Sequence, residues 1–85
     1  MGRSRLAPGE ALLIDPCYSV HTFFMRFPID VLFLDNDNLV LRVVSGLKPY
    51  RFAIKGGARR VLEVDAGSTH TAAVQAGDRI EFFDG

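Results

Sequence analysis

The feature that most constrains this chain is a series of short apolar runs, each ended by residues that favour turns. The runs are rich in Val, Ile, Leu and Phe, and they are too short and too continuous for the three-to-four-residue spacing of an amphipathic helix. Such runs, separated by proline, glycine or Asp/Asn residues, are typical of β-strands. The seven runs cover residues 11–14, 20–27, 29–34, 39–44, 50–54, 61–64 and 80–83. The pattern predicts an all-β protein.

The length of 85 residues predicts a single domain spanning 1–85. We expect a compact small sandwich or a partly closed barrel, with one short helix over residues 68–76. Ser68 can serve as the N-cap of that helix and Gly77 as its left-handed stop. A domain this small buries only about 60–65% of its unfolded surface, so the seven Phe must supply much of the core. Few large apolar side chains should therefore remain for an exposed binding patch.

The strongest local prediction is a hairpin between residues 29–34 and 39–44. Its turn falls on Asp-Asn-Asp-Asn at 35–38, because these side chains bond their own backbone and tolerate positive φ. A calcium loop starting at Asp35 would need a Glu at its twelfth position, where this chain has Gly46. Residues 29–34 are apolar on both faces except at Asp30, which predicts a central strand. Asp30 then needs a partner, and Arg26 or Arg42 could form an ion pair with it.

Composition excludes several functional classes. Ten basic and ten acidic residues give a net charge of zero, which disfavours a dedicated nucleic-acid-binding protein. The single cysteine excludes an internal disulfide framework and any multi-cysteine metal site. No apolar stretch approaches the roughly 20 residues that a membrane span needs. The start of the sequence has no signal-peptide pattern, so we expect a soluble cytoplasmic protein.

Charge is unevenly distributed along the chain. Residues 38–62 contain six basic side chains and no acidic one, whereas the remaining 60 residues contain four basic and ten acidic ones. Tyr50 and Phe52 lie within the basic part. We interpret this segment first as a solvated surface. Binding of single-stranded nucleic acid, an acidic partner or a small anion is the alternative.

Reactive side chains are concentrated between residues 15 and 30. Cys17, His21 and Met25 follow one another at a spacing of four, and together they are soft ligands that suit Cu(I). A cysteine and a histidine could also form an activated nucleophile. On an extended strand, however, residues four apart lie about 13 Å from each other. Only a bend after Pro16 could join them, so a structural thiol and a hydrogen-bonded histidine are the simpler interpretation.

These observations favour a non-catalytic ligand- or partner-binding module without a metal or cofactor. Its groove would be lined by the side chains clustered after Pro16, with one or two arginines at the rim. The candidate binding residues are Cys17, His21, Thr22, Phe23, Met25, Asp30, Arg42 and Arg60. The alternative is a minimal enzyme, or a copper or redox site, that uses Cys17 and His21 within coordination or hydrogen-bond reach.

Residues 20–35, Val-His-Thr-Phe-Phe-Met-Arg-Phe-Pro-Ile-Asp-Val-Leu-Phe-Leu-Asp, closely resemble the hallmark of domain-of-unknown-function family 192 of bacteria and archaea. The resemblance continues through residues 47–51, 61–67 and 76–80. It implies a compact, mainly β domain with one short helix, and we expect a bacterial source. It implies no activity. The matching motif positions, none with an assigned role, are Cys17, His21, Thr22, Met25, Pro28, Ile29, Asp30, Glu63, Gly67, Gly77 and Asp78.

The resemblance also carries one departure, because members of the family typically have an additional strand before the position of Arg5. We therefore expect this chain to lack an N-terminal edge strand. An open sheet edge invites pairing with a second chain, which predicts a homodimer. Some similar proteins have signal peptides, so a periplasmic or exported location is the alternative to the cytoplasm.

Overall fold

The fold consists of two antiparallel sheets. The computed structural model describes residues 11–21, 27–66 and 74–80. Their strands are β1 (Ala11–Ile14), β2 (Ser19–His21), β3 (Ile29–Leu34), β4 (Val40–Leu47), β5 (Phe52–Ile54) and β6 (Arg60–Asp65). A four-stranded sheet has the order β1-β6-β3-β4, and β2 pairs with β5 in a two-stranded sheet. The all-β prediction is confirmed, with a sandwich-like arrangement of the described strands and not a closed barrel.

The main core lies between the two sheets. Alternate residues of β3, namely Ile29, Val31 and Phe33, are fully buried there. Val20 of β2 and Ala53 of β5 pair with each other and pack into the same cluster from the two-stranded sheet. Burial of this apolar surface stabilises the fold and fixes which face of each strand points outwards.

A second apolar cluster covers the opposite face of the four-stranded sheet. Leu32, Leu34 and Val40 are buried in it, and Val74 and Ile80 pack against them. All six residues of β3 are therefore buried. The prediction of a central strand is confirmed, because β3 has a strand on each side and an apolar layer on each face.

The predicted hairpin is confirmed as β3 and β4. The Asp35 carboxylate accepts hydrogen bonds from the N–H groups of Asp37 and Leu39, at 2.8 and 2.9 Å. Asn38 adopts the left-handed backbone conformation, with φ of +63°. Aspartate at the first turn position and asparagine at the last thus provide what this reversal of the chain requires.

Residues 77–80 lie against the start of β4. The N–H of Val40 donates to the Asp78 carbonyl oxygen at 2.8 Å, and the N–H of Ile80 donates to that of Asn38 at 2.9 Å. The predicted helix over 68–76 falls outside the described residues up to position 73. The prediction is wrong at its described end, because residues 74–76 are not helical and lead into a turn in which Gly77 has φ of +98°. Of the last predicted strand, Ile80 is not in a strand and residues 81–83 lie outside the described ranges.

Candidate binding site

The two-stranded sheet has an exposed surface that we call the outer face and define by Ser19, His21, Phe52 and Ile54. Because side chains alternate along a strand and Val20 points into the core, these four point away from it. His21 lies opposite Phe52, and their ring centroids are 6.1 Å apart. Phe52 is 64% exposed and Ile54 is 48% exposed. The expectation that the core would use almost all large apolar side chains is wrong for β5.

Positive charge surrounds the outer face. Arg51 and Lys55 immediately flank β5 in the sequence. From β4, Arg42 donates a hydrogen bond through Nη1 to the carbonyl oxygen of Ile54 at 2.9 Å. Residues 16–21 and 38–62 together contain no acidic side chain. The basic part of the sequence is therefore brought next to exposed apolar side chains.

A pocket of about 260 Å³ lies beside the start of β2. It is lined by Pro16, Cys17, Tyr18, Ser19, Ala58 and Arg59. The backbone of Cys17 is held in place because its N–H donates to the Arg59 carbonyl oxygen at 2.9 Å. Its Sγ donates to the carbonyl oxygen of Ser19, also at 2.9 Å. The pocket thus combines a buried thiol, a hydroxyl group and an arginine with apolar walls.

Arg59 and Arg60 are neighbours in the chain but have different surroundings. Arg60 donates from Nε to the Asp15 carboxylate at 3.0 Å and from Nη1 to Asn38 Oδ1 at 2.8 Å. Arg59 is exposed, and its guanidinium has no ion pair among the described residues. Arg60, a predicted rim residue, is occupied in linking the β3–β4 turn to Asp15. Arg59 is the arginine that lines a pocket.

Cys17 and His21 have different surroundings. Cys17 belongs to the core cluster and is 8% exposed, whereas His21 is on the outer face against Phe52. The Cys17 thiol donates its hydrogen bond to the main-chain carbonyl oxygen of Ser19. The arrangement of Cys17 and His21 gives no support to a shared proton or ion.

Asp30 stabilises a bulge in the β3–β4 ladder. Ile29 pairs with Leu47 and Val31 with Val44, so Asp30 faces two residues of β4 instead of one. Its Oδ1 accepts a hydrogen bond from the Gly46 N–H at 2.8 Å, and Gly46 has φ of +65°. The carboxylate thus binds backbone where the ladder is interrupted.

The predicted ion pair between Asp30 and Arg42 is wrong. Arg42 lies opposite Phe33, on the face of β4 that points to the two-stranded sheet, whereas Asp30 alternates with Phe33 onto the other face. Arg26, the other proposed partner, lies outside the described residues.

Three further candidate residues, Thr22, Phe23 and Met25, also lie outside the described residues. Among the described residues, no three His, Cys, Asp or Glu side chains are close enough to hold a metal ion.

Sequence reasoning missed Tyr18, Ala58 and Arg59 as pocket residues. The available signal was the Gly56-Gly57 turn in the basic segment, but nothing local indicates that this turn returns to Cys17.

Fold and site define a small β domain of two sheets that presents an exposed, cation-flanked apolar face next to a shallow pocket. The chain belongs to domain-of-unknown-function family 192, whose model, described as "Uncharacterized ACR", matches residues 1–82. No solved structure matches the chain. In the described part of the chain, no helix is long and apolar enough to cross a membrane.

Similar proteins are known from archaea. A UPF0127 protein of Pyrococcus abyssi is 37% identical over 82 residues, which cover 88% of this chain and 69% of the relative. A UPF0127 protein of Pyrococcus horikoshii is 41% identical over 66 residues, which cover 76% of this chain and 56% of the relative. The chain thus spans between about half and two thirds of these relatives. Since both are archaeal, a bacterial source stays a prediction.

Proposed function

We propose that this protein is a non-catalytic partner-binding module and that the outer face is its docking surface. The observation that carries the proposal is the exposure of Phe52 and Ile54 on one face of β5. Single exposed apolar residues are common, but adjacent ones on one sheet face mark interaction sites. Tyr18, which immediately precedes β2, is 57% exposed and extends the apolar surface.

Charge identifies the chemistry of the partner. Arg51 and Lys55 flank the exposed β5 side chains, and no acidic residue occurs in the two segments that form this sheet and its surroundings. Complementary potentials select the partner and steer its approach. The surface therefore fits a protein segment that alternates acidic with apolar side chains.

Single-stranded nucleic acid is the competing occupant, because aromatic rings and cations also suit bases and phosphates. Two features favour the acidic protein segment. Ile54, the neighbour of Phe52 on the outer face, has no aromatic ring on which a base could stack. The net charge of zero also gives little of the long-range attraction on which non-specific nucleic-acid binding depends.

The test uses the complete chain and a synthetic ten-residue peptide in which glutamate alternates with phenylalanine or leucine. We expect saturable binding by fluorescence anisotropy and at least a tenfold loss of affinity in the double variant Phe52→Ser and Ile54→Ser. Tyr50→Ser is the matched control, because Tyr50 is also exposed but lies in the β4–β5 connection and not on the outer face. Equal binding by all three proteins, or tighter binding of a twelve-nucleotide oligothymidine than of the peptide, would contradict the proposal.

The alternative of a minimal enzyme or copper site makes a different prediction. It requires Cu(I) to raise the melting temperature of the wild-type chain and to have no such effect on Cys17→Ser and His21→Asn. Because the Cys17 thiol bonds to the Ser19 carbonyl oxygen whereas the His21 ring contacts Phe52, we expect Cu(I) to shift the melting temperatures of the wild type and the His21→Asn variant equally.

We also propose that β1 pairs with β1 of a second copy of this chain. β1 is the outermost strand of the four-stranded sheet, its sequence Ala-Leu-Leu-Ile has no charge, and Leu13 is 40% exposed. Edge strands without charge or proline are the ones that pair with other chains. The two proposals concern different sheets, so either can hold without the other.

A further inference from the structure

The pocket beside Cys17 borders the outer face, shares Ser19 with it, and is lined in addition by Ala58 and Arg59. Pro16 and Ala58 contribute apolar lining, and Ser19 and Arg59 are lining residues that carry a hydroxyl and a guanidinium group. At roughly 30 Å³ per water molecule, 260 Å³ would hold a ligand about as large as a single aromatic acid. A concave site with apolar walls and a few polar groups is the usual form of a small-ligand site.

The backbone that carries Arg59 is fixed from both sides. Its N–H donates to the Leu34 carbonyl oxygen at 2.8 Å, and its own carbonyl oxygen accepts the N–H of Cys17 at 2.9 Å. The preceding turn is closed by the Ala58 N–H, which donates to the Lys55 carbonyl oxygen at 3.2 Å. These bonds fix the backbone of Arg59 beside the pocket, so that ligand binding has to order only its exposed side chain.

The neighbouring arginine shows why the cation at position 59 is available. Arg60 is compensated by Asp15 and by the Asn38 side chain, and it lines no part of the pocket. Among the described residues, no acidic side chain lines the pocket or bonds to Arg59. Guanidinium groups bind carboxylates through two parallel N–H···O bonds.

We propose that this pocket binds a carboxylate group, with Arg59 as the cation that pairs with it. The Ser19 hydroxyl supplies a further donor, and Pro16, Tyr18 and Ala58 contact the hydrocarbon part of the ligand. This inference goes beyond the proposed function, because it assigns a separate carboxylate site and not the exposed β5 surface. The carboxylate belongs either to a free small acid or to an acidic side chain of the docked partner.

The first test is a ¹H–¹⁵N NMR titration of the complete chain with benzoate and with its neutral analogue benzamide. We expect saturable shifts of the amide signals of Cys17, Tyr18 and Arg59 with benzoate, and at least tenfold weaker binding of benzamide. Absence of saturable shifts at these amides, or equal affinities for the two compounds, would overturn the proposal.

The second test uses variants that fold independently of the ligand. Arg59→Gln should weaken benzoate binding at least tenfold, and Arg59→Lys should retain part of it, because a lysine keeps the charge but not the bidentate geometry. Arg79→Gln is the control, since Arg79 is exposed and lines no part of the pocket. Melting temperatures establish that each variant is folded. Unchanged binding by Arg59→Gln, or an equal loss in Arg79→Gln, would refute the assignment.

A competition experiment separates the two sources of the carboxylate. If the acidic peptide displaces benzoate, the site takes an acidic side chain of the partner; if both bind together, it takes a free small acid. The double variant Phe52→Ser and Ile54→Ser should lose the peptide and keep benzoate. Loss of the peptide site therefore leaves the carboxylate site intact, and the two proposals fail independently.

Discussion

At the scale of single residues, two neighbouring arginines have different roles. The side chain of Arg60 stabilises the fold, whereas that of Arg59 remains available for a ligand. Arg60 begins β6, lies opposite Leu34 of β3, and its side chain reaches Asp15 and Asn38. It therefore connects the start of the domain to the β3–β4 turn. Arg59 contributes to structure through its backbone only, among the described residues.

We predict that Arg60→Ala lowers the free energy of unfolding by about 1 kcal/mol, because partly exposed charged contacts have this magnitude. Arg59→Ala should change it by less than about 0.5 kcal/mol. Urea unfolding followed by circular dichroism measures both values. If the two variants lose equal free energy of unfolding, the contacts of Arg60 with Asp15 and Asn38 do not stabilise the fold.

At the scale of elements, the β3–β4 turn depends on one carboxylate. Asp35 accepts two backbone N–H groups through its side chain, and its backbone N–H and carbonyl oxygen bond to Leu39 and Asn38 at 3.0 and 3.1 Å. Asp37 is exposed, and it contributes to the turn by donating its backbone N–H to the Asp35 carboxylate. The Asp35 side chain therefore stabilises the turn, whereas, among the residues that the structure describes, the Asp37 side chain does not contribute a hydrogen bond to it.

Asp35→Ala should destabilise the protein by about 1–2 kcal/mol, because the N–H groups of Asp37 and Leu39 lose their acceptor. Asp37→Ala should be neutral to within about 0.5 kcal/mol and serves as the matched control. Chemical denaturation of both variants and the wild type in the same buffer gives the comparison. A neutral Asp35→Ala would show that the backbone bonds alone hold the turn.

The elements also show which parts of the fold were predictable from sequence. The β3–β4 hairpin was predictable, because its two strands and the Asp/Asn turn between them are contiguous in the sequence. The residue preferences of such a turn depend only on neighbouring residues. The pairing of β2 with β5 was not, because two strands of three residues, about 30 positions apart, carry no local signal of their contact. The exposure of Phe52 was missed for the same reason, since only the pairing of Val20 with Ala53 shows which face of β5 is buried.

The candidate site was predicted only in part. Sequence reasoning selected Cys17 and His21 for their chemistry, and both lie at the two-stranded sheet. It placed them in one groove with Asp30, whereas Cys17 precedes β2 and belongs to the core cluster, His21 contacts Phe52 on the outer face, and Asp30 binds the bulge at Gly46. Arg59 was overlooked because one arginine in a basic segment has no distinguishing pattern. Long-range contacts, and not residue types, define the pocket.

At the scale of the whole molecule, association would use an edge of the larger sheet. β1 carries only apolar side chains and borders β6 on one side. Pairing of two such edges would extend the four-stranded sheet into an eight-stranded one across a twofold axis.

Leu13→Lys should convert the dimer into a monomer, because a lysine on an edge strand opposes its own copy and disfavours strand pairing. Tyr50→Lys, at a residue that is 70% exposed in the β4–β5 connection, should leave the dimer unchanged. Sedimentation equilibrium at several concentrations distinguishes the two states. A monomeric wild type would exclude association through β1 at those concentrations.

The pairing of β1 with β6 has a consequence for how the chain acquires its shape. Ala11 pairs with Val64 and Ile14 with Val61, so two adjacent strands are joined by about fifty intervening residues, and contacts this distant in sequence slow folding. On a ribosome adding about 5–20 residues per second, β1 waits several seconds for its neighbour to emerge. The hairpin of β3 and β4 can form during that delay and offer β6 a template, whereas an uncharged β1 is exposed to chaperones and to other nascent chains.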